Sequence, residues 1–544
     1  MDVNVFLTQS ITMISKADKS ILRGTIFKHL DGIVTAPALM TLSKHGVLES
    51  LLQSRGQTLD ELSNKFKAND GYINVALRSL ASQGWLNQTI ENDLPSYGVT
   101  DKGAIAFTYA NHYEKAVELI KIGEHYHPRK FEPAAFRVLE SAFDSYLELQ
   151  LKKHDAADDH ISVLDQMLVH IEGVILGPSI VHLGMSGMFH KYFMESSFKA
   201  EEFHEDVKPF SKLLDIFTHF GWFEKTGETY RFTPKGLFYS RRASAYGVTV
   251  SYLPSLRKLD DLIFGNALIL QPEKGGPEKH VDRAMNVWGS GGAHSTYFKV
   301  VDELIIEIFN RPLEKQPKGI LDMGCGNGAF LQHLFEVIDQ HTLRGKYLDE
   351  HPLTLVGVDY NEAALKITKA NLIQADIWAK VIWGDIGDPA QLATSLETDY
   401  GVDLSSLLNV RTFLDHNRPW NAPVDSVPST VKSSGAYASK GMRLTNDAAQ
   451  QSFVEHMQRW QPYLKQHGLL VIELHTVKPE TTAKNLGKTG ATAYDATHGY
   501  SDQYILEVDA YYDCIRRAGL ERDERLGKQF PDSELATVTI NLLK

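Results

Sequence analysis

Cysteine is nearly missing from this chain: Cys325 and Cys514 are the only two among 544 residues. Two thiols cannot build a disulfide scaffold, and their scarcity suits a reducing cytoplasm, the expected location. Long apolar runs are missing too. None approaches the roughly 18 consecutive apolar residues of a membrane-spanning helix, so no transmembrane segment is expected. The N-terminal MDVNVFLTQSITMISKADKS lacks a basic start followed by an apolar block and a small-residue cleavage site, which predicts no signal peptide. There is no excess of basic charge. The formal net charge is -12, a poor match to nucleic acid, whose binding rests on neutralising phosphates. No C-x-x-C or H-E-x-x-H signature is present. What remains is ordinary for a globular protein, 43% hydrophobic and 23% charged, and long enough for two or three domains.

The first half contains a repeat. HLDGIVTAPALMTLSKHGVLESLL begins at His29 and HIEGVILGPSIVHLGMSGMFHKYF at His170, with Gly32, Pro37 and Gly46 in step with Gly173, Pro178 and Gly187. Each stretch leads to a helix ending in Gly-Trp, at Gly84 and Gly221, then a short hairpin and the matching exits YGVTDKG and YRFTPKG. Helix, glycine stop and hairpin make a winged-helix pattern, expected twice, over about 20–110 and 160–250. A helical connector, PAAFRVLESAFDSYLELQLKKHD, joins the two. Winged helices often bind DNA. The second helix of module one, DGYINVALRSLASQG, carries a single arginine, and the counterpart stretch of module two starts acidic, so DNA binding is disfavoured.

From about residue 300, strands alternate with helices, which predicts a parallel α/β sheet. KGILDMGCGNGAFLQHLF reads as strand, glycine turn and helix. Gly324, Gly326 and Gly328 allow close approach of the backbone to a ligand at a helix N-terminus. The next strand ends in Asp359-Tyr360, an acid placed to take ribose hydroxyls. A third ends in Asp385-Ile386, placed to face an adenine. Cys325 inside the turn reads as a small filler. An acid two residues before the first glycine, as in D-M-G-C-G-N-G, departs from the dinucleotide fingerprint G-x-G-x-x-G. It resembles the first motif of class I S-adenosylmethionine-dependent methyltransferases. That resemblance implies that Asp322, Gly324, Gly326 and Gly328 surround the methionyl part, Asp359 and Tyr360 the ribose, and Asp385 and Ile386 the adenine.

The acceptor should lie beyond the carboxyl ends of the fourth and fifth strands. RTFLDHNRPW follows the fourth, IELHTV ends the fifth, and DATHGYSDQYILE comes later. They bring Arg411, Asp415, His416, Glu473, His475, His498 and Gln503 to one rim. Imidazole, carboxylate and amide donors suit a mid-series divalent metal with open positions. The same residues also read as capped turns on a plain polar rim. NVWGSGGAHSTYF is expected over the cofactor, with Gly289, Gly291 and Gly292 in a close turn and His294 or Tyr297 pointing inward. The Ser-, Pro- and Ala-rich stretch 421–450 reads as an insertion and lid.

GIVTAPALMTLSKHGVLESLL, HVDRAMNVWGSGGAHSTYF, ILDMGCGNGAFL, FLDHNRP, ELH and SDQYILE together resemble the metal-dependent loading-module C-methyltransferases of polyketide synthases, of the kind that start apratoxin and saxitoxin assembly. The resemblance implies a Rossmann-like class I methyltransferase core (276–544) under a mostly helical lid of two winged-helix-like modules (1–150 and 151–275). It implies S-adenosylmethionine and a divalent metal, Fe(II) or Mn(II), held by Asp415 or His416, with Asp415 favoured, and by His475 and Gln503. It also implies an acyl carrier protein bearing a malonyl or methylmalonyl thioester, whose enolate the metal would stabilise. Arg411, His416 and Tyr437 are then the candidate catalytic groups, with His416 or Tyr437 as the base. A homodimer is one open option; nucleic acid and membrane are not expected partners. The rival reading is a metal-free small-molecule O-methyltransferase with a winged-helix dimerisation domain. A cofactor-sensing winged-helix regulator is a second, against which the intact Asp322, Asp359 and Asp385 argue. The family's usual downstream decarboxylase and carrier domains do not follow TVTINLLK, so a free-standing or excised enzyme is expected.

Overall fold

The computed structural model describes residues 14–122, 132–192, 197–273, 276, 278–425 and 427–544. Most of the stretch read above for a signal peptide, residues 1–13, lies outside that set.

Two long helices organise the N-terminal half. Lys16–Lys44 starts on Ser15, whose side chain accepts from the Asp18 N–H, and runs on through Pro37. Asp158–Met185 runs through Pro178. The second is long and apolar enough to cross a membrane by length and composition, and most of it is buried inside the protein. The repeated glycines explain how the two meet. A Cβ on Gly32 would stand 2.3 Å from His170 Cα, and one on Gly173 2.5 Å from His29 Cα. Each helix thus offers its glycine to the other's histidine backbone, and packing at interior density leaves no room for a methyl group. The histidines cross over as well: His29 Nδ1 lies 2.7 Å from the Tyr246 hydroxyl of module two, and His170 Nδ1 lies 2.8 Å from the Tyr113 hydroxyl of module one.

Each module is a winged helix. In the first, helix Asp70–Ser82 leads through Gly84 (φ +77°) to the hairpin Leu86–Glu91/Leu94–Val99. In the second, Val207–His219 leads through Gly221 (φ +74°) to Phe223–Thr226/Thr229–Phe232. Thr100 and Thr233 cap the following helices by accepting from the N–H groups of Gly103 and Gly236. Helix Pro133–His154 forms the connector.

The C-terminal half is built on a seven-stranded sheet. Its strands are β1 Gly319–Met323, β2 Thr354–Asp359, β3 Lys380–Trp383, β4 Leu407–Thr412, β5 Leu469–Leu474, β6 Lys528–Phe530 and β7 Val538–Leu543, in the order β6-β7-β5-β4-β1-β2-β3. β1 to β5 are parallel, and β7 runs antiparallel to both of its neighbours, β5 and β6. The order reverses between β1 and β4, which opens a crevice at their carboxyl ends.

Two expectations change. The glycine-rich 289–292 stretch is not a turn over the cofactor but part of one continuous helix, Arg283–Phe309. Gly289 serves a helix crossing, because a Cβ on Gly247 would stand 2.6 Å from its Cα. Gly291 has nothing within 4 Å of its Cβ direction, Tyr297 packs on Phe413 and Phe530, and the surroundings of Gly292 and the His294 side chain lie outside the described set. Within 421–450, the hairpin Tyr437–Ser439/Met442–Leu444 is pinned to module one. There Gly71 N–H donates to the Gly441 carbonyl (2.9 Å), and Arg443 N–H to Asp70 Oδ1 (2.9 Å).

Candidate active site

The donor side is built at the carboxyl ends of β1, β2 and β3. Gly324, Gly326 and Gly328 all take positive φ, +80°, +56° and +80°, a region that Cβ-bearing residues enter only at a cost. The turn is held from the next strand, since the N–H groups of Gly324 and Cys325 donate to the Val358 carbonyl. Asp359 fixes it further: Oδ2 accepts from Gly326 N–H (3.0 Å) and Oδ1 from Asn361 N–H (2.8 Å). Helix Ala329–His341 starts immediately after Gly328.

Asp322 is wholly buried, and its Oδ2 has no hydrogen-bond partner. Burial first, and the nearby Asp359 second, push its carboxyl up to about 7. An orphaned buried carboxylate beside a glycine turn is the group a cationic ligand would satisfy. Asp385 Oδ1 caps Gly387 N–H, and Ile386 is buried with its carbonyl taken by the Trp460 indole N–H. Tyr360 is exposed against Trp383. Burial pushes the Cys325 thiol up to about 12, in keeping with a filler.

The acceptor side separates residues that the sequence had grouped. His475 sits at the end of β5 with both ring nitrogens engaged, Nδ1 at the Leu506 carbonyl (3.1 Å) and Nε2 at the Thr539 hydroxyl (2.7 Å). This histidine holds strands together and has no nitrogen left for a metal. Asp415 turns towards the helix Asn446–Leu464. Its Oδ1 accepts from Arg411 (2.6 Å) and meets His456 Nε2 (2.9 Å), while Oδ2 is buried without a hydrogen bond. Burial would raise that carboxyl, but Arg411 and His456 hold it well below the usual range. Arg411 is not on a rim: fully buried, its guanidinium lies 4.0 Å from the Trp460 ring centroid. Tyr437 is no base in this arrangement. Its hydroxyl lies 2.6 Å from Ser433 Oγ and donates to the Ile505 carbonyl, and burial, then Glu507, raises its pKa well above the ordinary value.

His416, His498 and Gln503 do come together. His416 and His498 meet edge to face with ring centroids 5.2 Å apart. His416 Nδ1 lies 2.5 Å from Glu473 Oε1, and His498 Nδ1 lies 2.8 Å from the Tyr494 carbonyl. Each imidazole therefore points Nδ1 at an acceptor, which leaves Nε2 as the nitrogen open to a ligand. Burial, then the neighbouring His416, lowers the His498 pKa to about 3, which keeps that ring neutral. Gln503 N–H donates to His498 O, and its side-chain amide donates to the Tyr252 hydroxyl (3.1 Å). Among the described residues no group of three or more His, Cys, Asp or Glu side chains is arranged for a metal. Two imidazoles and one amide side chain stand on this wall, donor types that suit a borderline divalent ion.

A small cavity beside these groups is lined by Tyr437, His498, Gln503 and Ile505 of the core and by Arg78 of module one. Arg78, on helix Asp70–Ser82, donates to Asp495 (2.9 Å), Thr476 (3.2 Å), the Val477 carbonyl (3.1 Å) and Ser434. Asp502 accepts from the Tyr72 hydroxyl (2.9 Å), a second tie from lid to core. Arg78 was visible as the lone arginine of a helix whose one other charge is Asp70; Tyr252 and His456 had no signal at all.

Three family models match in chain order: the AprA N-terminal domain at 22–88, the AprA winged helix domain at 172–266 and the AprA MT2-like methyltransferase domain at 278–541. The chain is an AprA-type methyltransferase. The winged-helix match coincides with the second module, and the methyltransferase match covers the sheet that carries the glycine turn. Together they make this protein a methyltransferase that uses S-adenosylmethionine. No curated protein matches. Among solved structures, similarity is found to an O-methyltransferase family protein from Burkholderia thailandensis (11% identity, 68% of this chain and 94% of that one, TM-score 0.38). Human N-acetylserotonin methyltransferase (12%, 71% and 98%, TM-score 0.36) and the DszA carbon methyltransferase (14%, 76% and 98%, TM-score 0.30) are also similar. Scores this low leave the assignment to the family models and the site.

Proposed function

We propose that this AprA-type methyltransferase transfers the S-adenosylmethionine methyl group to the α-carbon of a malonyl- or methylmalonyl-type thioester carried by an acyl carrier protein. A divalent metal, Fe(II) or Mn(II), would be held by His416, His498 and Gln503. The observation that carries this reading is the pair of neighbouring imidazoles, each with Nδ1 anchored and Nε2 without a hydrogen bond among the described residues. Carboxylate and carbonyl anchors of this kind fix the tautomer that ligates. When bound, the metal would supply Lewis-acid stabilisation of the enolate of a 1,3-dicarbonyl acceptor.

The residues do the rest by placement. Glu473 holds His416 and also accepts the Asp415 N–H (3.0 Å), so the turn after β4 is fixed to the end of β5. The glycine turn and Asp359 fix the donor at the ends of β1 and β2. β4 lies directly beside β1, which brings donor and acceptor to one crevice. Arg78 of module one forms part of the acceptor wall from the lid side.

The test is methyl transfer to malonyl-loaded carrier protein, followed by intact mass, after chelation and with Fe(II) or Mn(II) restored. A metal-dependent gain of methyl mass, lost in His416→Ala and His498→Ala, is expected. Transfer that ignores chelation while His416→Ala still abolishes it would favour the rival O-methyltransferase reading, with His416 as a plain base.

A further inference from the structure

The two modules are copies, and where copies differ the fold itself does not require the difference. Tyr113 and Tyr246 occupy the same step after the capping threonines, 100 to 113 and 233 to 246, and make the same hydrogen bond to a histidine of the other long helix. Carried on by the same step, Tyr252 of module two corresponds to Leu119 of module one. Both are buried, at 6% and 5% exposure. Leucine satisfies the packing in one copy, so the hydroxyl in the other answers a different need.

That hydroxyl reaches across to the core. Tyr252 accepts from Gln503 Nε2 (3.1 Å), and its ring lies 5.8 Å from that of His498. An amide side chain has a donor end and an acceptor end, and only the oxygen can ligate a cation. With the nitrogen end held by Tyr252, the oxygen end makes no hydrogen bond among the described residues, and Gln503 and His498 line one small cavity. Resting on the metal reading above, we propose that Tyr252 is a positioning residue: the second winged-helix module supplies the hydroxyl that orients Gln503 with its oxygen available to a divalent cation. Without the hydroxyl the amide can rotate and present its NH2 group to the imidazole lone pairs.

The experiment uses the full chain, metal-stripped, titrated with Mn(II) by calorimetry and by loss of the free-ion paramagnetic resonance signal. Tyr252→Phe keeps the ring against His498 and removes only the hydroxyl. It should weaken Mn(II) binding by roughly 10- to 100-fold, the usual loss when a ligand's orienting partner is removed, and leave S-adenosylmethionine affinity unchanged. In a Gln503→Glu background the side chain has no wrong end to present, so the Tyr252→Phe penalty should shrink. Equal Mn(II) binding by wild type and Tyr252→Phe overturns the positioning role and leaves the metal reading standing. An equal penalty in both backgrounds overturns it too, because Tyr252 would then act through packing. Failure of the wild type itself to bind Mn(II) overturns the metal reading and this inference with it.

Discussion

At the scale of the residue, Asp322 is the most informative group. Its carboxyl titrates at 3.8 in an ordinary setting and at about 7 here. A raised folded-state pKa means that the empty protein holds this proton more tightly than the unfolded chain does. The stability it contributes is full below 3.8 and is lost as pH rises through about 7. Asp322→Asn cannot ionise, so its melting temperature relative to wild type should climb across that window; parallel curves for the two would refute the assignment. S-adenosylmethionine is cationic and should favour the ionised form, so its affinity should rise with pH in wild type and not in Asp322→Asn. Asp359→Ala should weaken cofactor binding at least 10-fold by calorimetry, because it removes the brace on Gly326 and the carboxylate expected to take the ribose hydroxyls. These donor-side groups were legible in the sequence because strand, turn and acid are neighbours along it. His416, His498 and Gln503 were only partly legible. Which nitrogen of a histidine is free depends on Glu473, Tyr494, Leu506 and Thr539, and no spacing rule says where those fall.

At the scale of the element, glycine carries two meanings that a sequence does not separate. In GCGNG, read in the sequence as allowing close backbone approach, it provides left-handed backbone. In GSGG it thins a helix for a crossing, and the expected turn is a helix. The repeated glycines of the long helices were recognised by their step with His and Pro, but their purpose needed the partner helix. Gly32→Ala and Gly173→Ala each drive a methyl group into backbone 2.3–2.5 Å away. Each should destabilise the protein by about 1–3 kcal/mol or more, read as a lower urea midpoint. Gly187→Ala, at a position with nothing within 4 Å and φ +81°, should cost only the smaller backbone strain.

At the scale of the whole molecule, the lid and the core are locked by a buried cation. Arg78 is 1% exposed and satisfies Asp495 across the junction, with Glu507 4.0 Å away. Arg78→Ala leaves Asp495 and Glu507 with their hydroxyl and amide donors but without their cation, a change that costs up to about 3–5 kcal/mol. The expected result is an early unfolding step and protease cleavage within the helical half before the sheet. A single transition at the wild-type midpoint would show that the junction does not depend on this clamp. The two-module plan was visible from the repeat, but the face that each module turns to the core was not, because docking depends on side chains far apart in the chain.

The tandem arrangement of the two modules has a genetic consequence. In an assembly of two identical chains every mutation is written twice, and a substitution that helps one side must be tolerated on the other. Here the two halves are separate stretches of one reading frame. Arg78 could become a clamp while its counterpart, Asp215, paired with Lys225 instead, and a tyrosine could arise at 252 while leucine stayed at 119. Two modules within one chain share a crossing and can accept changes singly.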